Sequence, residues 1–107
     1  MFRKLYQLLI LYLISINVYS QTNYTLNGYI KSASDGESLI GATIYINEIQ
    51  GGVITNPYGF YSITLEEGEY NIEYRYIGYI TLKKKIILDK DQKIDIELLS
   101  EDIELEN

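Results

Sequence analysis

Between Leu26 and Leu98 apolar and polar residues alternate in short runs, and each run is closed by glycine, proline or acidic residues. A repeat of two sends successive side chains to opposite faces of an extended chain, so such runs bury one face only as strands. Tyr24–Lys31 sets Leu26, Gly28 and Ile30 against Thr25, Asn27 and Tyr29. After a turn at Ser32–Glu37, Ala42, Ile44 and Ile46 share a face, and Val53–Thr55 is long enough only for a minimal strand. Asn56-Pro57-Tyr58-Gly59 has the residues of a tight turn, with proline fixing one torsion and glycine free to take a positive one. Phe60–Leu65 turns Tyr61, Ile63 and Leu65 inward and leaves Phe60 half covered at a margin. Tyr70–Tyr76 turns Tyr70, Ile72, Tyr74 and Tyr76 to one side. Ile80–Leu88 and Lys93–Leu99 complete the set, the last with Ile94, Ile96 and Leu98 aligned. Glu66–Glu69 and Asp89–Gln92 are expected to be hairpin turns.

Seven strands in fewer than about 80 residues leave no room for crossover helices. A single open sheet would leave an apolar face wet, so the expected fold is all-β: a seven-stranded antiparallel β-sandwich with Greek key connections. A partly closed barrel is the alternative.

Residues 1–20 differ in kind. Arg3 and Lys4 precede a largely apolar run from Leu5 to Ile16, and Val18-Tyr19-Ser20 ends on a small residue. This predicts an export signal cleaved after Ser20. A retained membrane helix needs about 20 apolar residues, and this run meets Gln21–Asn23 first. Its polar residues form no clean face for a surface helix, and no cysteine is available for a lipid anchor. The domain proper is then 21–99, and residues 100–107, with acids at Glu101, Asp102, Glu104 and Glu106, form an acidic tail or linker.

Without the leader, seven basic residues face fifteen acidic ones, a net charge of -8. That balance repels phosphate backbones, so no nucleic acid partner is expected, nor membrane contact by the domain itself. The basic run Lys83-Lys84-Lys85 fits the solvent side or free edge of a strand. The absence of cysteine leaves the domain to hold itself by packing, which together with the leader favours a bacterial envelope.

Without histidine or cysteine the chain has no imidazole or thiolate zinc ligands, no thiol nucleophile and no Ser-His-acid triad. Glu66, Glu67 and Glu69 belong to a solvated turn, where carboxylates have no cavity for a substrate. Asp89, Asp91 and Asp95 offer hard oxygen atoms but lack the spacing of a calcium loop. Gly51-Gly52 has neither the following lysine nor the helix of a phosphate loop. The expectation is therefore no catalytic, cofactor or metal residues. Of nine tyrosines beyond residue 20, Tyr61, Tyr70 and Tyr74 belong to the core. Tyr29, Tyr45 and Tyr79 point to the outer surface or a loop and are the candidates for protein contact, the alternative being cross-strand stabilisation.

Four segments together carry a family likeness: Gly28-Tyr-Ile-Lys, Gly36-Glu-Ser-Leu-Ile-Gly-Ala-Thr-Ile-Tyr-Ile, Thr55-Asn-Pro-Tyr-Gly-Phe-Tyr-Ser-Ile and Gly68-Glu-Tyr-Asn-Ile-Glu-Tyr-Arg-Tyr-Ile-Gly-Tyr79. They resemble the carboxypeptidase-regulatory-like domain, and the resemblance covers residues 24–99. It implies a transthyretin-like (prealbumin-like) sandwich, often the N-terminal extension of TonB-dependent outer-membrane receptors of the SusC class. It also implies structural roles: Gly41 and Gly59 in tight backbone positions, Tyr61 and Ile63 in the core, and Tyr70–Tyr79 as the closing strand. Members commonly have a threonine-rich stretch where this chain has Gly51-Gly52-Val53-Ile54. The family lends no catalytic residue. The partners implied are other envelope proteins, or a plug and barrel following in the same receptor; an adhesion or carbohydrate-associated module of a secreted protein is the other reading.

Overall fold

The computed structural model describes residues 2–15 and 22–101. The segment Phe2–Ser15 is a helix, α1, with Leu5, Leu8 and Leu9 open to solvent. Fourteen residues span about 21 Å, short of the roughly 30 Å of a bilayer core. No helix among the described residues is long and apolar enough to cross a membrane. Ser20, the expected cleavage point, lies outside the described residues, as do 102–107 of the acidic tail.

The remainder forms eight strands: β1 (Asn23–Ser32), β2 (Thr43–Ile46), β3 (Gly51–Ile54), β4 (Phe60–Glu66), β5 (Gly68–Arg75), β6 (Leu82–Leu88), β7 (Gln92–Lys93) and β8 (Ile96–Leu98). One sheet runs β4-β1-β7, with β8 also on β1; the other runs β3-β2-β5-β6. The expected all-β sandwich of the transthyretin type is thus the fold. In detail one layer is mixed, because β7 and β8 pair with β1 in parallel while every other pairing is antiparallel. The count is eight rather than seven because the last expected strand is divided. At the division, Ile94 presses its carbonyl against Gly28, where any Cβ would collide with it, and the Ile94 N–H donates to the Asn27 carbonyl at 2.7 Å. Only glycine lets the two backbones meet so closely.

The two acidic turns also differ from expectation. β4 and β5 belong to different sheets, as do β6 and β7, so Glu66–Glu69 and Asp89–Gln92 carry the chain from one layer to the other instead of closing hairpins. At the first crossing the Glu67 N–H donates to the Thr22 carbonyl at 2.9 Å and the Tyr70 hydroxyl to the Glu66 carbonyl at 2.6 Å, which holds the arch shut.

The inward stripes meet as expected. Leu26, Ile30, Ala42, Ile44, Ile46, Tyr61, Ile72, Tyr74 and Leu98 are almost wholly buried, and Ile63 packs against them from a half-covered position. Burial of such side chains is worth about 1.5–3 kcal/mol each relative to exposure, which sustains a domain that has no disulfide. The Thr55 hydroxyl is buried between β2 and β3, accepting the Ala42 N–H at 2.9 Å and donating to the Leu39 carbonyl at 2.5 Å. In the turn that follows, Asn56 Oδ1 accepts the N–H groups of Tyr58 and Phe60. Gly59 there takes φ +76°, within reach of the Ile30 carbonyl, a conformation that favours glycine.

Candidate contact surface

Tyr29 lies on the outer side of β1. Its register partner on β4 is Phe60, and the two rings lean together with centroids 5.2 Å apart. Phe60 is half covered, as expected of a margin position. On the other flank Lys93 Nζ stands 5.7 Å from the Tyr29 ring centroid. Asp95 Oδ1 accepts the Tyr29 N–H at 2.9 Å, and Asp95 Oδ2 lies 3.8 Å from Lys93 Nζ. Tyr29, Lys31, Lys93, Asp95, Ile96 and Glu97 line an open groove of about 410 Å³. Its rim carries both charge signs, so it favours neither an anion nor a cation.

Tyr45 lies on the outer side of β2, in the other sheet. Arg75, on the neighbouring β5, places its guanidinium 4.6 Å from the Tyr45 ring centroid and donates to Glu73 Oε1 from Nε and Nη2 at 3.1 and 2.7 Å. The hydrogen bond from Arg75 holds the Glu73 carboxyl below the ordinary carboxylate range, with its charge and that of Lys83 acting in the same direction. Further along, Glu48 accepts the Asn71 N–H and the Asn71 Nδ2 amide at 2.9 and 2.7 Å; the first of these is the main reason its acidity is increased. This face is a ladder of matched charges and amides around one flat aromatic ring, suited to planar polar contacts.

Tyr79 is in the loop after β5. Its hydroxyl donates to Ser32 Oγ at 3.2 Å and its ring leans on Tyr76 with centroids 5.5 Å apart. It is half covered and closes the end of the core, where Ser100 pairs with it across an isolated bridge. The structure therefore does not gather the three tyrosines: Tyr29 and Tyr45 occupy opposite outer faces, and Tyr79 plugs an end.

Two of the three aspartates considered as oxygen ligands, Asp91 and Asp95, serve the backbone of β1. Asp91 Oδ1 accepts the Thr25 N–H and Asp95 Oδ1 the Tyr29 N–H, both at 2.9 Å. They satisfy donors on the side of β1 where β7 and β8 pair only in part. Among the described residues no three acidic side chains come together as a metal site. Glu69 instead pairs with Lys85 at 3.0 Å. Tyr61 and Tyr74 keep their protons because burial pushes both phenols up, so neither is a nucleophile near neutral pH. The Tyr45, Arg75 and Glu73 group was not foreseen; alternation places Glu73 and Arg75 on one face, but their meeting with Tyr45 depends on the pairing of β2 with β5.

Residues 26–107 match the model of a family described as the CarboxypepD_reg-like domain. The chain belongs to this family. No curated protein matches the sequence. Among solved structures, this CarboxypepD_reg-like domain resembles a Bacteroides fragilis protein described as membrane-associated and of unknown function, with 18% identity, TM-score 0.58, and coverage of 78% of this chain and 30% of the other. It also resembles a DUF3823 family protein from Parabacteroides merdae, with 15% identity, TM-score 0.56, and coverage of 76% and 48%. A DUF3823 family protein from Bacteroides ovatus gives 20%, 0.53, 72% and 44%. These likenesses establish the sandwich. The CarboxypepD_reg-like domain aligns with less than half the length of each of these chains.

Proposed function

We propose that this is a non-catalytic accessory domain of the bacterial cell envelope, exported by residues 1–20 and working in the periplasm as the N-terminal extension of a TonB-dependent outer-membrane receptor of the SusC class. Membership of the CarboxypepD_reg-like domain family is the observation that carries the reading. Similarity to a Bacteroides fragilis protein described as membrane-associated supports the envelope. The lack of histidine and cysteine, and the use of Asp91 and Asp95 to bind backbone, support contact and positioning as the domain's means of action. Its role is in receptor assembly, energy coupling or contacts with other envelope proteins, with Tyr29 and Tyr45 offering two separate outer faces and Tyr79 an end.

The test is genetic and direct. The reading frame beyond Asn107 encodes a plug and a barrel, seen as many alternating segments of about ten residues. Deletion of residues 24–99 from the complete receptor lowers uptake or the amount of receptor assembled in the outer membrane. A frame without plug and barrel, or a deletion that changes neither quantity, refutes the proposal.

A further inference from the structure

β6 is the outer strand of its sheet, hydrogen-bonded to β5 on one side. On the other side the Ile87 carbonyl accepts Gln92 Nε2 at 2.7 Å, so the main-chain groups of Ile87 face away from β5. In an antiparallel ladder this orientation repeats at every second residue. The N–H and C=O groups of Lys83 and Lys85 therefore also face outward. Below them the Ile80 N–H is taken by the Leu99 carbonyl at 2.8 Å. Among the described residues nothing pairs with the intervening edge, which is a two-residue docking register of the kind that accepts an added strand.

The side chains define what fits. Lys83 and Lys85 point to the outer face and Lys84 to the inner, all three exposed. Among the described residues Lys85 is the one of the three with an ion pair, to Glu69, while Glu73 opposite Lys83 is engaged by Arg75. The edge is thus a positive strip on a domain that is otherwise strongly acidic. Edge-to-edge pairing with a second copy would set lysine against lysine, which disfavours self-association. Beside the strip, Ile80, Leu82 and Leu99 are exposed and border a shallow groove.

We infer that the edge of β6 at Lys83–Lys85 is a β-augmentation site for an extended acidic segment, one that alternates acidic with apolar residues. The acids meet Lys83 and Lys85 on the outer face, and the apolar side chains lie over Leu82 and the stem of Lys84. The inference goes beyond the receptor reading and does not depend on it.

A peptide with the sequence of residues 100–107, in which Glu101, Asp102, Glu104 and Glu106 surround Ile103 and Leu105, serves as the probe. It is titrated into the exported chain, and amide hydrogen exchange is followed by NMR. At saturation the Lys83 and Lys85 amides exchange at least about 10-fold more slowly, while a peptide with every acid replaced by lysine has no effect. Lys83→Glu combined with Lys85→Glu removes the protection and leaves exchange in the core strands as in the parent, which shows that the variant is folded. Absence of protection at Lys83 and Lys85, equal protection by the lysine peptide, or protection confined to another strand overturns the inference.

Discussion

Tyr61 and Tyr74 meet edge to face across the gap between the two sheets, with ring centroids 6.0 Å apart, planes at 66° and hydroxyls 3.4 Å apart. The Tyr61 hydroxyl also donates to the Ile94 carbonyl at 2.7 Å. Tyr74 is then the donor in the pair, and the chain of two hydroxyls ends on the same residue that presses against Gly28. Tyr61→Phe keeps the ring and strands that carbonyl, at a cost of about 1–2 kcal/mol, whereas Tyr74→Phe loses only a long hydrogen bond and costs under about 1 kcal/mol. Urea unfolding of the two variants checks the order.

The same two phenols set the alkaline limit. Burial raises both above the ordinary tyrosine value of 10.0, so the folded state holds protons that the unfolded chain releases. Their contribution is complete below about pH 10 and is lost as pH rises through the raised values. Denaturation midpoints measured from pH 8 to 12 fall only in the upper part of that range, and tyrosinate absorbance from these two residues appears together with unfolding.

Gly28→Ala forces a methyl group into the Ile94 carbonyl. Neither backbone can yield without breaking the Ile94 to Asn27 hydrogen bond, so the loss lies near the top of the overpacking range, about 3 kcal/mol. A melting temperature lowered by more than about 10 °C is the expected reading.

Thr55→Val preserves shape and removes the hydroxyl that joins the Ala42 N–H to the Leu39 carbonyl. Two buried groups lose a partner, which costs about 2 kcal/mol or more. Thr55→Ser restores most of the stability, an outcome that separates the hydrogen bonds from the volume.

Glu48 and Glu73 titrate below the ordinary carboxylate range, the first through the Asn71 N–H and the second through Arg75. Lowered values mean that these contacts are present above the unfolded value and disappear as pH falls through the folded one. Carboxyl NMR shifts followed from pH 7 to 2 show both groups among the last to protonate; Asn71→Ala, which removes the side-chain amide but keeps the main-chain N–H, raises Glu48 only in part and leaves it below its usual range.

The interior was legible because it depends on neighbours along the chain: Leu26, Ile44, Ile72 and Ile96 are buried where alternation puts them. What alternation does not encode is which strand lies beside which, or in which direction. Glu66–Glu69 has the composition of a hairpin, and the same residues serve equally well for an arch between layers. At the break between Lys93 and Ile96 the Ile94 carbonyl meets Gly28, a residue far away in sequence. Alternation points Tyr29, Tyr45 and Tyr79 to the outer surface or a loop, but the separation of Tyr29 and Tyr45 onto two sheets follows only from the pairing of β1 with β4 and of β2 with β5.

The parallel seat of β8 on β1 has a mechanical meaning. Chain enters the sandwich at Asn23 and leaves beside Ser32, where Leu98 pairs, so its two ends emerge from opposite poles. Tension applied through them loads the hydrogen bonds joining β1 to β7 and β8 in shear, together, instead of peeling them one by one.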